Sequence, residues 1–181
     1  MDDALWQRLQ IVGGNITRLT VDAVVTAANE ALCGGGGVDG AIHRAAGPDL
    51  LAECRQIGHC PPGEARLTRA YLLPAKLVIH TVGPVWEGGS YGEAQVLASC
   101  YRSSLKLAVE HDVHSIAFPC IATGVYGYPK TEACKVAAMA TLAWLRENPR
   151  PAQVVFCCFA DEDVELYRTR LPQVKTEKPT S

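Results

Sequence analysis

The sequence predicts a single α/β domain, a three-layer α/β/α sandwich with a mixed, largely parallel sheet. Apolar segments of strand length alternate with segments of helical period along most of the 181 residues, as in sheets covered by helices. Residues 22–28 form a largely apolar run, which is typical of a strand buried on both faces. A chain of this length can bury one sizeable core but is too short for two ordinary domains.

Local signals bound the elements of the first half. The pair Gly13-Gly14 ends the first strand, and apolar residues at positions 38, 41, 42, 45 and 46 have the period of a helix. Pro48 fits the first turn of a second helix, which is expected to end near Gly58. Two strands follow, joined by a Leu-Pro turn.

The second half continues the alternation. Apolar side chains recur with helical period from residue 92 and from residue 130, and Asn148-Pro149 stops the later helix. Residues 172–181 are polar without a period, so a domain of residues 1–171 followed by a disordered tail is predicted. The predicted strands are 9–12, 22–28, 65–71, 76–82, 115–119 and 153–159, and the predicted helices are 38–46, 48–58, 92–111, 130–147 and 161–171.

Charge and apolar patterning exclude several classes of protein. The formal net charge is −2 with no local run of Lys or Arg, so a general attraction to nucleic acid is not expected. No apolar run is long enough to span a bilayer, and the start of the chain is acidic where a signal peptide would be basic. We therefore expect a cytoplasmic protein that does not associate with membranes. A monomer is a separate expectation.

The cysteines and histidines do not have the spacing of metal ligands. The eight cysteines contain no Cys-x-x-Cys motif, and most have apolar neighbours, so free buried thiols are predicted. The five histidines lack a paired-ligand spacing. No metal and no cofactor are expected.

The glycine run Gly34 to Gly37 is the centre of the sequence. Four consecutive glycines lose much backbone entropy on ordering, so a compact domain that keeps them needs bare backbone close to a ligand. The run opens a helix, whose first N–H groups suit an anionic group such as phosphate. Asp39 lies in the first turn, where the helix dipole favours a carboxylate, and it forms an i,i+4 pair with His43.

Two other phosphate-binding motifs fit less well. The spacing of Gly35, Gly37 and Gly40 matches the dinucleotide-binding fingerprint, but no second strand ends about 20 residues later, as a Rossmann unit requires. The Walker loop fails because no Gly-Lys-Ser/Thr follows. A second glycine-bearing loop, residues 122–127, also follows a buried strand, so both loops are expected at the carboxyl edge of the sheet.

Several separated motifs, in the same order, resemble the macrodomain family. They are residues 14–17, residues 21–29, the block from Gly34 to His43 and the loop from Ala122 to Pro129. The sequence is most similar to the MacroD-type branch of ADP-ribosyl hydrolases and O-acetyl-ADP-ribose deacetylases. The resemblance covers about residues 9–171.

The resemblance implies a site for ADP-ribose. Phe159 would stack on adenine, the two glycine loops would clasp the diphosphate, and Asn29 would bind hydroxyls of the distal ribose. Asp39 would position or activate a water, His43 would support it, and Tyr126 would pack beside the distal ribose. Asn29, Asp39, His43 and Tyr126 are the implied catalytic residues. The residues implied to bind ADP-ribose are Gly14, Asn15, Ile16, Ala28, Gly34, Gly35, Gly36, Gly37, Val38, Ala122, Thr123, Gly124, Val125, Gly127 and Phe159.

Three positions depart from the family pattern. Relatives usually carry Asp where this chain has Asn15, a position that accepts from the adenine amino group, and the carbonyl of Asn15 is expected to accept in its place. Thr26 replaces a frequent Asn and is expected to change only local hydrogen bonding. Ala122 replaces a frequent Ser and removes one hydroxyl donor.

The main hypothesis is a metal-independent hydrolase that cleaves esters at the distal ribose of ADP-ribose conjugates. Its expected partners are ADP-ribose, O-acetyl-ADP-ribose and proteins mono-ADP-ribosylated on Asp or Glu. One alternative is a reader module that binds ADP-ribose without chemistry. A weaker alternative is a nicotinamide-dependent oxidoreductase.

Overall fold

The computed structural model describes residues 3–174, which fold around one six-stranded sheet. The strand order is β1-β6-β5-β2-β4-β3, and every pairing is parallel except that of β3 with β4. The strands are β1 Leu9–Gly13, β2 Ala23–Ala27, β3 Ala65–Arg69, β4 Leu77–Thr81, β5 Ser115–Phe118 and β6 Gln153–Cys158, and the helices are α1 Asp3–Gln7, α2 Gly37–Ala46, α3 Pro48–Ile57, α4 Glu93–Glu110, α5 Lys130–Glu147 and α6 Asp161–Val174. The predicted α/β/α sandwich with a largely parallel sheet is confirmed.

Helices cover both faces of the sheet. Helices α1, α4, α5 and α6 bury one face, and α2 and α3 bury the other. The strands alternate between these two cores: Val25 of β2 faces the first core, whereas Val24 faces the second. Burial on both faces explains the largely apolar run at 22–28.

The differences from the sequence-based prediction lie at the ends of the chain. Helix α1 was not predicted; Leu5 is its one buried residue, too few for a period to emerge. Helix α6 continues to Val174, three residues into the predicted tail, because Leu171 and Val174 are buried in the first core. The rest of the predicted tail lies outside the described residues.

All eight cysteines are free thiols, and six of them are buried, as predicted. Cys33 is exposed, and Cys120 is half-buried. No helix within residues 3–174 is long and apolar enough to cross a membrane.

The strand order determines where loops can form a site. Strands β1, β6, β5 and β2 are parallel neighbours, so their carboxyl ends lie side by side at one edge of the sheet. At about 4.8 Å per strand, the four ends span roughly 14 Å. The loops that follow them meet in a row, as expected for a ligand site in an open parallel sheet.

His80 of β4 is a buried titratable group beneath α2 and α3. Its Nε2 lies 2.8 Å from the Thr68 hydroxyl oxygen, and that hydroxyl donates to the Arg69 carbonyl, so His80 Nε2–H is the donor. Burial, together with nearby His43, lowers the pKa of His80 to about 3. The imidazole is therefore neutral in the folded protein at neutral pH.

The burial of His80 leads to a prediction about the stability of the fold in acid. Below the ordinary His pKa of 6.5, and down to about pH 3, the unfolded chain binds a proton at His80 that the folded chain does not. As the pH is lowered through this window, the free energy of unfolding should therefore decrease, by up to about 1.4 kcal/mol per pH unit from this residue. In urea titrations at several pH values, His80→Gln should lose stability less steeply than the parent. Parallel curves would contradict the assignment.

Candidate active site

A cleft of about 770 Å³ runs along the carboxyl ends of β1, β6, β5 and β2. Each strand end contributes one segment to its wall, so the wall follows the order of the strands across the sheet. The β1 end contributes Gly14, Asn15 and Ile16; the β6 end Cys157 and Phe159; the β5 end Pro119, Cys120 and Ala122 to Tyr126; and the β2 end Ala27 to Asn29 and Gly35 to Asp39.

The glycine run is held in place by Asn29, which follows β2. Asn29 Nδ2 donates to the Gly34 carbonyl at 2.7 Å, and its Oδ1 accepts from the Cys33 N–H at 3.1 Å. The run then passes against the start of α2, where a Cβ on Gly40 would overlap the Gly35 carbonyl oxygen. Gly40 is required by this close approach.

Backbone N–H groups of two loops are free to bind an anion. Within the described residues, no protein oxygen accepts from the N–H groups of residues 35–39 or of residues 124–126. The first set includes the opening N–H groups of α2, and both sets line the cleft. Such groups, with the positive end of a helix dipole, bind phosphate well.

Asp39 is the buried carboxylate of the cleft, with 5% of its surface exposed. Its Oδ1 accepts from the Thr26 hydroxyl at 2.8 Å and lies 3.6 Å from His43 Nε2. Burial raises the pKa of Asp39, and the Thr26 hydrogen bond and His43 offset this only in part. Thr26, expected to act only locally, therefore contacts the candidate catalytic carboxylate directly.

The other oxygen of Asp39, Oδ2, has no protein partner among the described residues. It is also not fully buried. Asp39 lines the cleft, so we infer that Oδ2 is open to solvent there. One oxygen is thus fixed by the protein, and the other is open to a water or a substrate hydroxyl.

Three predicted positions do not line the cleft. His43 and Gly34 instead line a second cavity with Gly40 and Pro48, and a Cβ on Gly34 would touch the His43 ring. His43 therefore contacts Asp39 from the far side. Gly127 was expected to offer its N–H to phosphate, but that N–H donates to the Gly124 carbonyl at 3.0 Å and closes the turn. The other predicted positions line the cleft.

Tyr126 lines the cleft and ties its loop to the segment after β4. The Tyr126 carbonyl accepts from the Trp86 N–H at 2.8 Å, and the side chain is half-buried against the first core. Val125 beside it is 100% exposed. The loop thus presents a half-buried tyrosine side chain beside a fully exposed valine side chain.

The β1 and β6 ends form the other end of the cleft. Phe159 is 80% exposed, so core packing does not explain it. Asn15 caps a 3₁₀ helix at Ile16–Arg18, and its Oδ1 accepts from both the backbone N–H and the hydroxyl of Thr17, at 3.0 and 2.7 Å. The expectation that this oxygen is available to adenine is wrong, because both of its lone pairs are used.

Sequence reasoning missed several lining residues. Gly83 follows β4, Cys120 follows β5, Cys157 is the second-last residue of β6, and Arg44 and Asp163 reach the cleft from α2 and α6. The break at Gly83-Pro84 and the alternation along β6 were visible signals, but neither indicates a cleft without the strand order. Within residues 3–174, no group of three or more His, Cys, Asp or Glu side chains could hold a metal ion.

The fold and the cleft define a class of protein. An open parallel sheet carries, along one edge, an exposed aromatic ring, two sets of unpaired N–H groups and a buried carboxylate. These groups suit in turn a base, a pair of phosphates and a polar group beyond them. The class is an α/β protein with a site for a nucleoside diphosphate conjugate.

Comparison with known proteins agrees with this class. The Macro domain family model matches residues 25–137, and the chain belongs to this family. An O-acetyl-ADP-ribose deacetylase of Klebsiella pneumoniae is 56% identical over 90% of this chain and 95% of its own length. An ADP-ribose glycohydrolase of Xenopus laevis is 51% identical over 93% of this chain and 41% of its own length. The predicted family is confirmed.

Solved structures agree as well. The Trypanosoma brucei macrodomain in complex with ADP-ribose superposes with a TM-score of 0.89 and 44% identity, over 93% of this chain and 71% of that one. The shared fold therefore extends well beyond the segment that the family model matches.

The contrast between Gly40 and Gly36 can be tested by stability. Gly40→Ala should lower the free energy of unfolding by about 1–3 kcal/mol, because the new methyl group meets a backbone oxygen that cannot turn away. Gly36→Ala should stay within about 0.5 kcal/mol of the parent, since its φ of −94° suits any residue and its Cβ meets nothing. Urea titration of both variants measures the difference, and equal stabilities would contradict the close approach.

Proposed function

We propose that this protein is a hydrolase that binds ADP-ribose conjugates and cleaves an ester at the distal ribose. Its proposed substrates are O-acetyl-ADP-ribose and proteins mono-ADP-ribosylated on Asp or Glu. The observation that carries this proposal is the buried carboxylate of Asp39, which lines the cleft beside unpaired N–H groups and whose protein contacts among the described residues all fall on Oδ1. The names of the deacetylase and glycohydrolase relatives support it.

The strand order supports one orientation of the ligand. The base would stack on Phe159 at the β6 end, since an exposed aromatic ring suits the face of any base. The diphosphate would accept from the free N–H groups of residues 35–39 and 124–126. The distal ribose would then reach the β2 end, beside Asn29 and Asp39.

Asp39 would act on a water. With Oδ1 fixed by Thr26 and His43, Oδ2 would accept a proton from a water that attacks the ester. If attack falls on the acyl carbon, the bond from that carbon to the ribose oxygen breaks, and the ribose oxygen takes up a proton. If attack falls on the ribose carbon, the carboxylate leaves. The geometry of Asp39 serves either route.

Asn29 would have two tasks. Its amide holds the glycine run through Gly34 and Cys33, which occupies one Nδ2–H and the oxygen. The second Nδ2–H is left to donate to a hydroxyl of the distal ribose. Loss of Asn29 would therefore disturb both the loop and the ribose.

Turnover of defined conjugates tests the proposal. The purified protein should hydrolyse ADP-ribosyl-glutamate and O-acetyl-ADP-ribose in heavy-oxygen water and in excess chelator, with the label showing which carbon is attacked. Asp39→Asn, which keeps the acceptor for Thr26, should lose about 10²-fold or more in turnover while still binding ADP-ribose. Binding without turnover by the parent would instead identify a reader, and NADH binding an oxidoreductase.

The pH dependence tests the role of Asp39. Its carboxylate acts as a base only when ionised, and burial raises its pKa, so kcat/KM should fall as the pH drops through this raised value. Thr26→Val removes the hydrogen bond that partly lowers this pKa, so the acid limb should move to higher pH. Thr26→Ser keeps the donor and should leave the limb in place. A limb that stays fixed in Thr26→Val, or moves to lower pH, would contradict the role of Asp39.

A further inference from the structure

Asn15 stands at the end of the cleft where the proposed ligand places its base. The residue is exposed and shares this end of the cleft with Phe159. Its side chain has one acceptor atom, Oδ1, and one donor group, Nδ2–H₂. Which of the two faces the cleft decides which base edge it can bind.

The local backbone settles the orientation of the amide. The N–H of Thr17 lies 3.0 Å from Oδ1, and a backbone N–H can only donate. A flipped amide would place Nδ2–H₂ against this N–H, donor against donor. The Thr17 hydroxyl, 2.7 Å from the same oxygen, uses its second lone pair. Thr17 is itself buried, so solvent does not compete for this cap.

The donor group of Asn15 is therefore what the cleft offers. Nδ2 has no protein partner among the described residues, so both of its N–H bonds are available. An aspartate at this position would keep one oxygen on Thr17 and present its second oxygen where Nδ2 now lies. Asn and Asp thus have nearly the same shape but opposite hydrogen-bonding character at one atom.

We propose that Asn15 determines the base specificity of this site, and that the site accepts conjugates of a 6-oxopurine such as hypoxanthine at least as well as those of adenine. Hypoxanthine carries a carbonyl oxygen, an acceptor, where adenine carries an amino group, a donor. Asn15 Nδ2–H can donate to the carbonyl, whereas two donors that face each other leave both unpaired. Adenine would bind by turning a ring nitrogen to Asn15. The inference rests on the proposed binding of ADP-ribose.

The experiment compares two ligands and two proteins. Titration calorimetry measures the dissociation constants of ADP-ribose and of its hypoxanthine analogue for the parent and for Asn15→Asp. The parent should bind the analogue at least as tightly as ADP-ribose. In Asn15→Asp the ratio of the two constants should shift towards adenine by about tenfold or more. The carboxylate gains a hydrogen bond from the adenine amino group, whereas the analogue loses the hydrogen bond that Asn15 Nδ2–H donates to its carbonyl.

The ratio isolates the base edge from other effects. The two ligands share both riboses and the diphosphate, so the added charge of the Asp variant affects them alike and cancels. Aspartate is as good a helix cap as asparagine, so the variant should fold, and its melting temperature checks this. Phe159→Ala should weaken both ligands about equally and leave the ratio unchanged, since stacking does not depend on the base edge.

The outcomes separate this inference from the proposed function. If the parent binds the analogue at least as tightly as ADP-ribose and Asn15→Asp shifts the ratio towards adenine, the inference stands. If the parent binds ADP-ribose but the ratio is the same in both proteins, or if the parent binds the analogue more weakly than ADP-ribose, the inference is wrong and the proposed function is untouched. If the folded parent binds neither ligand, the proposed function fails and the inference fails with it.

Discussion

The hold of Asn29 on the glycine run is the interaction on which the cleft depends. Four glycines lose more entropy on ordering than any other run of four residues, so a fixed path needs contacts outside the run itself. The Asn29 amide bonds to the Gly34 carbonyl and the Cys33 N–H, and the absence of a Cβ on Gly40 lets the run close onto α2. The run is thereby held by Asn29 at Gly34 and by the Gly40 N–H, which donates to the Gly36 carbonyl, while the N–H groups of Gly35 to Gly37 stay unpaired.

Unpaired N–H groups cost free energy unless water or a ligand pairs them, so they need a surface that solvent or a ligand can reach. The strand order provides this surface. Parallel neighbours bring four loops to one edge, where each can leave its N–H groups at the wall of a shared cleft. With the antiparallel β3 confined to the far edge, the row of parallel strands is not interrupted. The site is thus a consequence of topology as well as of the loops.

Sequence reasoning found the elements and the loops but not how they face one another. Periodicity and the glycine motifs indicated where β2 and α2 lie, because those signals are local. The family resemblance implies a catalytic role for His43. The i,i+4 spacing to Asp39 places the two side chains on one helix face but does not say on which side of Asp39 the cleft opens. Gly127 was assigned from its loop, although its N–H closes a turn.

Asn15 and Thr26 show a second limit of sequence reasoning. The family resemblance marks both as departures, but their consequence depends on single hydrogen bonds. Asn15 is turned by the N–H of Thr17, two residues on, and Thr26 reaches Asp39 only because β2 and the start of α2 pack together. Contacts between separate elements carry no periodic signal, so they appear only in the folded structure.

The environment of Asp39 combines two opposing demands. The first turn of a helix favours its charge, as the sequence suggested, and so does the Thr26 hydroxyl, but burial outweighs both and raises the pKa of Asp39. A carboxylate with a raised pKa is a stronger base and accepts a proton more readily. Thr26 and His43 limit how far the pKa rises. Because these two neighbours both act on Oδ1, charge stabilisation and proton acceptance are divided between the two oxygens of one side chain. A reader of ADP-ribose would need only the unpaired N–H groups, and the buried, half-open carboxylate is what sets this cleft apart from such a module.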